Sequence, residues 1–367
     1  MKIPSKDYGR QYEPLLPEIL TDIQKALLHD KPVLGEAVAL FEQDFASYHG
    51  VAYAIGVGSG TDAIVLSLRA AGISKGDEVI TCAHTFSGVL SAIIQSGASP
   101  ILVEPDEYGQ LDPDEVASKI TPSTKAILAV HFYGHPVQAD VLARIAADNQ
   151  LVLIEDIAQA HGAKWKERSL GSFGAISALS FHPSKNLGAF GDGGAILTEN
   201  KEMADQLRVL RNLGKSDKYQ FDDIAPNSKL DTLQAIILRI KLKHLDSWVQ
   251  RRTELANRYI RGLTGIGDLR LPKVHPDARP AWHLFVLRSK HREALQEHLK
   301  KAGIRTGLHY PIAAHQQPAI QKHLGQQSFP IAENWAAECL TLPLSHEHRD
   351  DEIDTVIHHI QRFFAAR

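Results

Sequence analysis

Two residues near the middle of the chain have the types and the setting for covalent chemistry. Asp156 closes a short apolar run, Leu151–Ile154, that ends in two acids, Glu155 and Asp156. Lys185 follows a second apolar run, Ala175–Phe181, and lies between Pro183 and the glycines Gly188, Gly191, Gly193 and Gly194. Apolar runs of this length with polar ends predict buried strands, as in a parallel sheet. Open parallel sheets bind ligands at the carboxyl ends of their strands, which is where Asp156 falls. The glycines make the loop after Lys185 too compact for an ordinary solvated turn. An amine placed there can form a Schiff base with an aldehyde cofactor, and a carboxylate can keep a pyridine nitrogen protonated. Taken singly, each residue also has a plainer role, since strand-end acids cap helices and lone lysines lie at the surface. Their order and the glycines around them favour the chemistry.

The stretches EDIAQAHGA, GSFG and SFHPSKNLGAFGDGGA resemble the nucleotide-sugar aminotransferase family of the DegT/DnrJ/EryC1/StrS type. The resemblance covers nearly the whole chain. It implies an α/β protein of the aspartate-aminotransferase fold (fold type I). A large cofactor-binding domain with a mixed, mostly parallel sheet is expected over residues 1–248, and a smaller α+β domain over 249–367. The implied cofactor is pyridoxal 5'-phosphate, passing through pyridoxamine 5'-phosphate. A nucleotide sugar and L-glutamate are the implied substrates, and a homodimer with shared active sites is the implied assembly.

The resemblance also assigns roles residue by residue. Lys185 would hold the cofactor and then shuttle a proton, Asp156 would face the ring nitrogen, and Gln159 would hold the ring's phenolic oxygen. Gly60, Thr61 and Ser180 would grip the phosphate, and Phe86 would stack on the ring. Asn227 would reach the cofactor phosphate of the neighbouring subunit. The family's Asn-x-Arg reads Asn-x-Lys here, so Lys229 keeps the charge but loses the planar fork. His309 and Tyr310, in a segment like the family's HYP, are expected to contact substrate together with Lys229; a packed tyrosine and a buried histidine are the other account. GDGG at Gly191–Gly194, VEPDE at Val103–Glu107 and HYPIAAHQQPA at His309–Ala319 look like the branch that aminates C3 of dTDP-linked 3-keto-6-deoxyhexoses. The C4-aminating branch more often carries GEGG. That branch, and a cofactor-binding sensor without useful turnover, stay open as alternatives. Dehydratases of the family replace the lysine with histidine, which Lys185 argues against.

The elements that must position these residues are legible upstream and downstream. Tyr53–Val57 predicts a strand, and Gly58-Ser59-Gly60-Thr61-Asp62 turns it into a helix whose positive end can face a phosphate. The dinucleotide fingerprint G-x-G-x-x-G fails there, because Thr61 occupies the third place after Gly56 and Gly58. Val79–Thr81, Pro100–Glu104 and Ala126–Val130 predict further strands, with helices at Asp112–Ile120 and Asp140–Asn149. This alternation argues a doubly wound α/β domain. Before it, Pro14–Leu28 predicts a helix with Leu15, Ile19, Ile23, Ala26 and Leu27 on one side, and Glu36–Tyr48 a second. After it come a strand at Ile196–Thr198, a helix at Lys201–Leu213, a polar loop over 214–226 and one long helix from Thr232 to about Tyr259. Trp282–Arg288, the helix Arg292–Ala302 and a later strand suggest the α+β part.

Composition narrows the remaining classes. The 367 residues suffice for two domains, and 44% hydrophobic with 23% charged residues is an ordinary globular balance. A net charge of -3 supports neither a nucleic-acid partner nor a polybasic membrane surface. No apolar stretch approaches the ~20 residues of a membrane span, and the opening MKIPSKDYGRQYEPL has no apolar core of a secretory leader. The two cysteines, Cys82 and Cys339, fit a reducing cytoplasm rather than a disulfide scaffold. His346, His348, His358 and His359 cluster without a zinc spacing, so surface histidines and no metal are expected.

Overall fold

Short apolar strands build the core of the computed structural model, which describes residues 2–367. The chain enters the main sheet as β1 (Tyr53–Val57), β2 (Glu78–Cys82), β3 (Ser99–Val103), β4 (Thr124–Val130) and β5 (Val152–Asp156). A small excursion, β6 (Lys164–Trp165) and β7 (Arg168–Ser169), precedes β8 (Ile176–Ser180) and β9 (Gly194–Thr198). Later come β10 (Ala278–Arg279), which pairs with β6, and the separate ribbon of β11 (Phe285–Arg288) and β12 (Cys339–Leu342). The seven-stranded sheet has the order β1-β9-β8-β5-β4-β2-β3. Only β9 runs against its neighbours, pairing antiparallel with β1 and β8; the other pairings are parallel. The mixed, mostly parallel sheet of fold type I is therefore present.

The strands of the main sheet carry apolar residues on both of their faces because both faces are covered. Successive residues of a strand point to opposite faces. Leu153 and Leu197 accordingly join one apolar cluster, with Phe41, Phe45 and Phe181, while Ile154 and Ile196 join another, with Ile55, Ile64 and Leu207. Gly60–Ala70 and Lys201–Leu210 pack on the second face, and Glu36–His49 on the first. A third cluster gathers Leu255, Tyr259, Phe285, Leu340, Ile353 and Ile357 around the β11–β12 ribbon. Ile3 belongs to it as well, bridging in parallel to Ile304. The boundary expected between 248 and 249 falls inside the helix Leu245–Leu263.

Four expectations are corrected. The single long helix is two, Thr232–Leu242 and Leu245–Leu263, separated by a tight turn in which the His244 amide bonds the Lys241 carbonyl at 3.0 Å. The helix from Lys201 stops at Leu210, because Leu213 and Gly214 take left-handed φ values of 63° and 75°. Leu27 is 70% exposed and so does not share the buried side with Ile19. His348, expected at the surface, is buried and bonds the Pro4 carbonyl through Nε2 at 2.9 Å.

Candidate active site

Parallel strands deliver their ends to one edge of a sheet, and here β1, β2, β5 and β8 release the chain at the edge where β9 begins. The segments that follow them enclose a cleft of about 310 Å³ lined by Gly60, Thr61, Phe86, Asp156, Ser180 and Lys185, with Tyr310 reaching in from the C-terminal part. A larger depression of about 470 Å³ lies between the helices at Leu16–His29, Glu36–His49 and Thr232–Leu242, away from these residues. The residues expected to carry chemistry line the smaller cleft.

Asp156 is the last residue of β5 and is buried, with Oδ1 accepting the Ala158 amide at 2.9 Å. Burial pushes its pKa above the usual carboxylate range, against the pull of that amide, of Lys185 and of His131. Lys185 follows β8 in a turn closed by its own amide on the His182 carbonyl at 2.8 Å. Burial lowers its ammonium to about 8, opposed by the charge of Asp156. The two groups therefore face the same space and feel one another. Gly188 keeps the turn compact, since a Cβ there would come within 2.6 Å of the Pro183 carbonyl oxygen.

The phosphate-sized end of the cleft is built by the start of the helix Gly60–Ala70. Ser59 caps it, its Oγ accepting the Asp62 amide at 3.1 Å, which leaves the first-turn amides of Gly60 and Thr61 without intrahelical acceptors. A Cβ on Gly60 would lie 2.5 Å from Ser180 Cβ, so glycine is what lets the helix end and Ser180 close on one volume. Phe86 is 43% exposed, unlike a core phenylalanine, and its ring lies 5.3 Å from that of Tyr310. Gly88 makes room for it, because a Cβ there would meet the Phe86 ring at 2.4 Å. An amine, a carboxylate, a helix N-terminus with a serine, and an aromatic wall fit a phosphorylated pyridine aldehyde.

The other anticipated residues lie at different depths. Gln159 is buried behind the cleft, its Oε1 accepting the Tyr133 amide at 2.8 Å and its side chain bonding Tyr310. Tyr310 is pushed up to about 12 by burial, then by the Asp156 charge. His309 sits beside it with Nδ1 at 2.7 Å from Thr341 Oγ1, and burial, then Lys185 and Lys6, lower it to about 4. Asn227 and Lys229 do not line this chain's cleft. Asn227 is exposed and takes a hydrogen bond from Lys229 Nζ, which also reaches Asn212 Oδ1 at 3.3 Å. Sequence reasoning passed over Ser59, His182 and Asp192, which also line the cleft. Ser59 lies inside the Gly58–Asp62 turn, beside Gly60, and Asp192 inside the GDGG run. It also passed over Glu155, fully buried, which accepts the amides of Phe173 and Gly174 at 2.9 and 2.8 Å and pairs with His131 at 3.3 Å.

The DegT/DnrJ/EryC1/StrS aminotransferase family model matches residues 15–361. The chain belongs to this family. Its members are pyridoxal-phosphate-dependent sugar aminotransferases, and this chain is such an enzyme. Among relatives of the family, a dTDP-3-amino-3,4,6-trideoxy-alpha-D-glucose transaminase of Streptomyces venezuelae is 44% identical over 94% of this chain and 91% of its own. The erythromycin biosynthesis sensory transduction protein EryC1 of Saccharopolyspora erythraea is 44% identical over 97% of this chain and 98% of its own. The crystal structure of DesV from S. venezuelae, in complex with a ketimine intermediate, superposes with a TM-score of 0.96 at 42% identity, covering 99% of this chain and 98% of that one. The family's cofactor and the cleft's donor set agree.

Proposed function

We propose that this aminotransferase transfers the amino group of L-glutamate to C3 of a dTDP-linked 3-keto-6-deoxyhexose, as a cytoplasmic homodimer with shared active sites. The observation that carries the reading is the meeting of Lys185 and Asp156 in one cleft whose far end is the N-terminus of the helix Gly60–Ala70. Bound there, pyridoxal phosphate supplies an aldehyde that exchanges amines and a ring that takes up electrons. Lys185 is the amine that holds the cofactor, and once displaced it moves a proton at Nζ. Its lowered pKa keeps a neutral fraction available near neutral pH, as both tasks require. Asp156 would favour the protonated form of the cofactor's ring nitrogen by opposite charge. Gly60, Thr61 and Ser180 would hold the phosphate, and Phe86 would wall the ring and exclude water.

Choice of the C3 acceptor is supported by Asp192. It is the acid of GDGG and lines the cleft, so a glutamate, one methylene longer, would take up substrate space. Lys229, His309 and Tyr310 are proposed substrate contacts, with Lys229 acting as a point charge where the family uses an arginine fork. Two features support the shared dimer site. Asn227 and Lys229 lie off their own cleft. Leu20, Leu27 and Leu28 leave one helix 61%, 70% and 68% exposed, as a subunit face would.

The test is spectroscopic and then kinetic. Purified protein is expected to carry a visible absorbance band that L-glutamate bleaches and a dTDP-3-keto-6-deoxyhexose restores. Lys185→Ala is expected to remove the band and the activity while the protein stays folded. Steady turnover with a 4-keto sugar nucleotide and none with a 3-keto one would overturn the acceptor; bleaching with no turnover on any sugar nucleotide would favour a sensor.

A further inference from the structure

β4 runs out into a short turn, Phe132–Gly134, whose middle residue has a backbone that large side chains resist. Tyr133 has φ 60° and ψ 6°, in the left-handed region that bulky residues rarely enter. Such a backbone persists only where its surroundings fix it, and it points to a task. The surroundings do fix it. The Tyr133 amide donates to Gln159 Oε1 at 2.8 Å, and its carbonyl accepts the Leu284 amide at 3.2 Å. Its hydroxyl donates to the His309 carbonyl, with His84 Nε2 at 3.1 Å from the same oxygen. The side chain is 5% exposed and stacks on Phe132 at 4.0 Å. Gly134 lets the turn press inward, since a Cβ there would come within 2.8 Å of the Gln159 carbonyl oxygen and of the His283 amide nitrogen.

These contacts reach separate parts of the chain. Gln159 follows β5, Leu284 precedes β11, and His309 lies between the helix Arg292–Lys301 and β12. The contact to His309 bears on the site, because that carbonyl belongs to the peptide leading into Tyr310, and Tyr310 lines the cleft. Turning that peptide swings the Tyr310 side chain. On its far side the segment hangs from β12. Gly307 and Thr341 exchange amide-to-carbonyl bonds at 3.0 and 2.9 Å, and Thr341 Oγ1 lies 2.7 Å from His309 Nδ1. His309 is thus gripped through its backbone by the turn after β4 and through its ring by β12. Gln159 adds a second route. With Oε1 given to the Tyr133 amide, its NH2 end is left to donate, and Tyr310 takes that bond.

We propose that Tyr133 is a positioning residue for Tyr310: its hydroxyl, working against Thr341, sets the His309–Tyr310 peptide and so the direction in which Tyr310 enters the cleft. The proposal rests on the reading of Tyr310 as a contact of the sugar nucleotide. Without the hydroxyl, the His309 carbonyl loses this donor and turns toward another, carrying Tyr310 with it. A misplacement on the ångström scale is costly in rate.

Transamination alternates between two substrates, so kcat/KM for L-glutamate and kcat/KM for the dTDP-3-keto-6-deoxyhexose report separate half-reactions of the holoenzyme. Tyr133→Phe removes one oxygen and keeps the ring on Phe132. It is expected to retain the visible band and the glutamate value, and to lower the sugar-nucleotide value roughly tenfold, as loss of one buried hydrogen bond would. Tyr310→Ala is expected to lower the sugar-nucleotide value further. Adding Tyr133→Phe to it should then change nothing more, because a residue that acts through Tyr310 has nothing left to act on. General loosening of the fold would instead lower both half-reactions and would add to Tyr310→Ala. Either of those results overturns the proposal, as does a folded Tyr133→Phe with wild-type values. Should Tyr133→Phe fail to fold, Thr341→Val decides by releasing the His309 ring: a loss confined to the sugar nucleotide supports the proposal, and equal losses or none overturn it. If the wild type aminates no such sugar, or Tyr310→Ala aminates it at the wild-type value, the substrate reading falls and this proposal with it. A lowered Tyr310→Ala beside an unaltered Tyr133→Phe sinks this proposal alone.

Discussion

Burial sets the working pH of Lys185. Its ammonium falls from the usual 10.5 to about 8 because it is taken out of water, and Asp156 prevents a further fall. Only the neutral amine attacks an aldehyde. Capture of pyridoxal phosphate by cofactor-free protein is therefore expected to quicken with rising pH through about 8 and then level off. An exposed lysine would keep gaining rate to about 10.4. Asp156→Asn removes the charge that raises the ammonium pKa, so the midpoint should move to lower pH; a midpoint that stays put would refute the coupling. Gly60 offers a steric test. Gly60→Ala places a methyl 2.5 Å from Ser180 Cβ, and overpacking of that kind costs about 1–3 kcal/mol. Roughly a tenfold or greater loss of cofactor affinity is expected at that cost, read by dialysis against pyridoxal phosphate, while Thr61→Ser should change little. These residues were legible in the sequence because each stands where an apolar run ends, and strand ends are where sheets meet ligands. Gln159 was less legible. Its carbonyl oxygen is occupied by the Tyr133 amide, 26 residues away in sequence, and no local pattern reports such a contact.

At the scale of elements, Glu155 fastens β5 and β4 to the loop that precedes β8. Burial raises its pKa, but bonds from His131 and from the Gly174 and Gly171 amides outweigh that and leave it below the usual 4.5. A carboxyl lowered on folding stabilises the protein above its unfolded pKa, and that contribution is lost as pH falls through the folded value. Glu155→Gln is expected to cost about 3 kcal/mol at neutral pH, since charge-assisted bonds to buried amides are replaced by weaker ones. It should also flatten the acid-side decline of stability that the wild type has below about pH 4.5; urea unfolding at pH 7 and pH 4 measures both. The elements themselves were readable where periodicity was strong. Every strand of the main sheet is legible as an apolar run, and the glycine turn into Gly60–Ala70 marks one end of the cleft. The break between Leu242 and Leu245 was not readable, because neither Lys243 nor His244 is a helix breaker and the turn is fixed by tertiary packing. β6, β7 and β10 are two residues each, too short to carry a period. The final helix Asp350–Ala365 did have a signal, acids in its first turn ahead of Ile353, Val356, Ile357 and Ile360 at helical spacing.

For the molecule as a whole, the decisive matter is that the cleft of one chain holds Lys185 and Asp156 but not Asn227 or Lys229. The segment bearing the latter pair is nonetheless rigidly placed. Ser228 Oγ donates to Asp62 Oδ2 at 2.8 Å and accepts the Gly58 amide at 3.0 Å, which pins it to the turn that starts the helix Gly60–Ala70. A segment fixed to one site's rim yet turned away from its cleft is suited to complete a second copy's site. A closed two-fold pair makes that exchange reciprocal. Hybrid dimers test it without any structure of the assembly. Lys185→Ala abolishes the amine in its own cleft but still offers Asn227, and Asn227→Ala does the converse. Mixed and re-equilibrated, half the dimers are hybrids, and each hybrid has one site with both wild-type residues and one with neither. Activity should thus rise from near the Lys185→Ala and Asn227→Ala baselines to about a quarter of wild type. If each site were complete within one chain, no mixture would exceed the average of its parents. That outcome, together with full cofactor saturation of a monomer, would confine the chemistry to a single subunit and leave Asn227 and Lys229 as a surface pair.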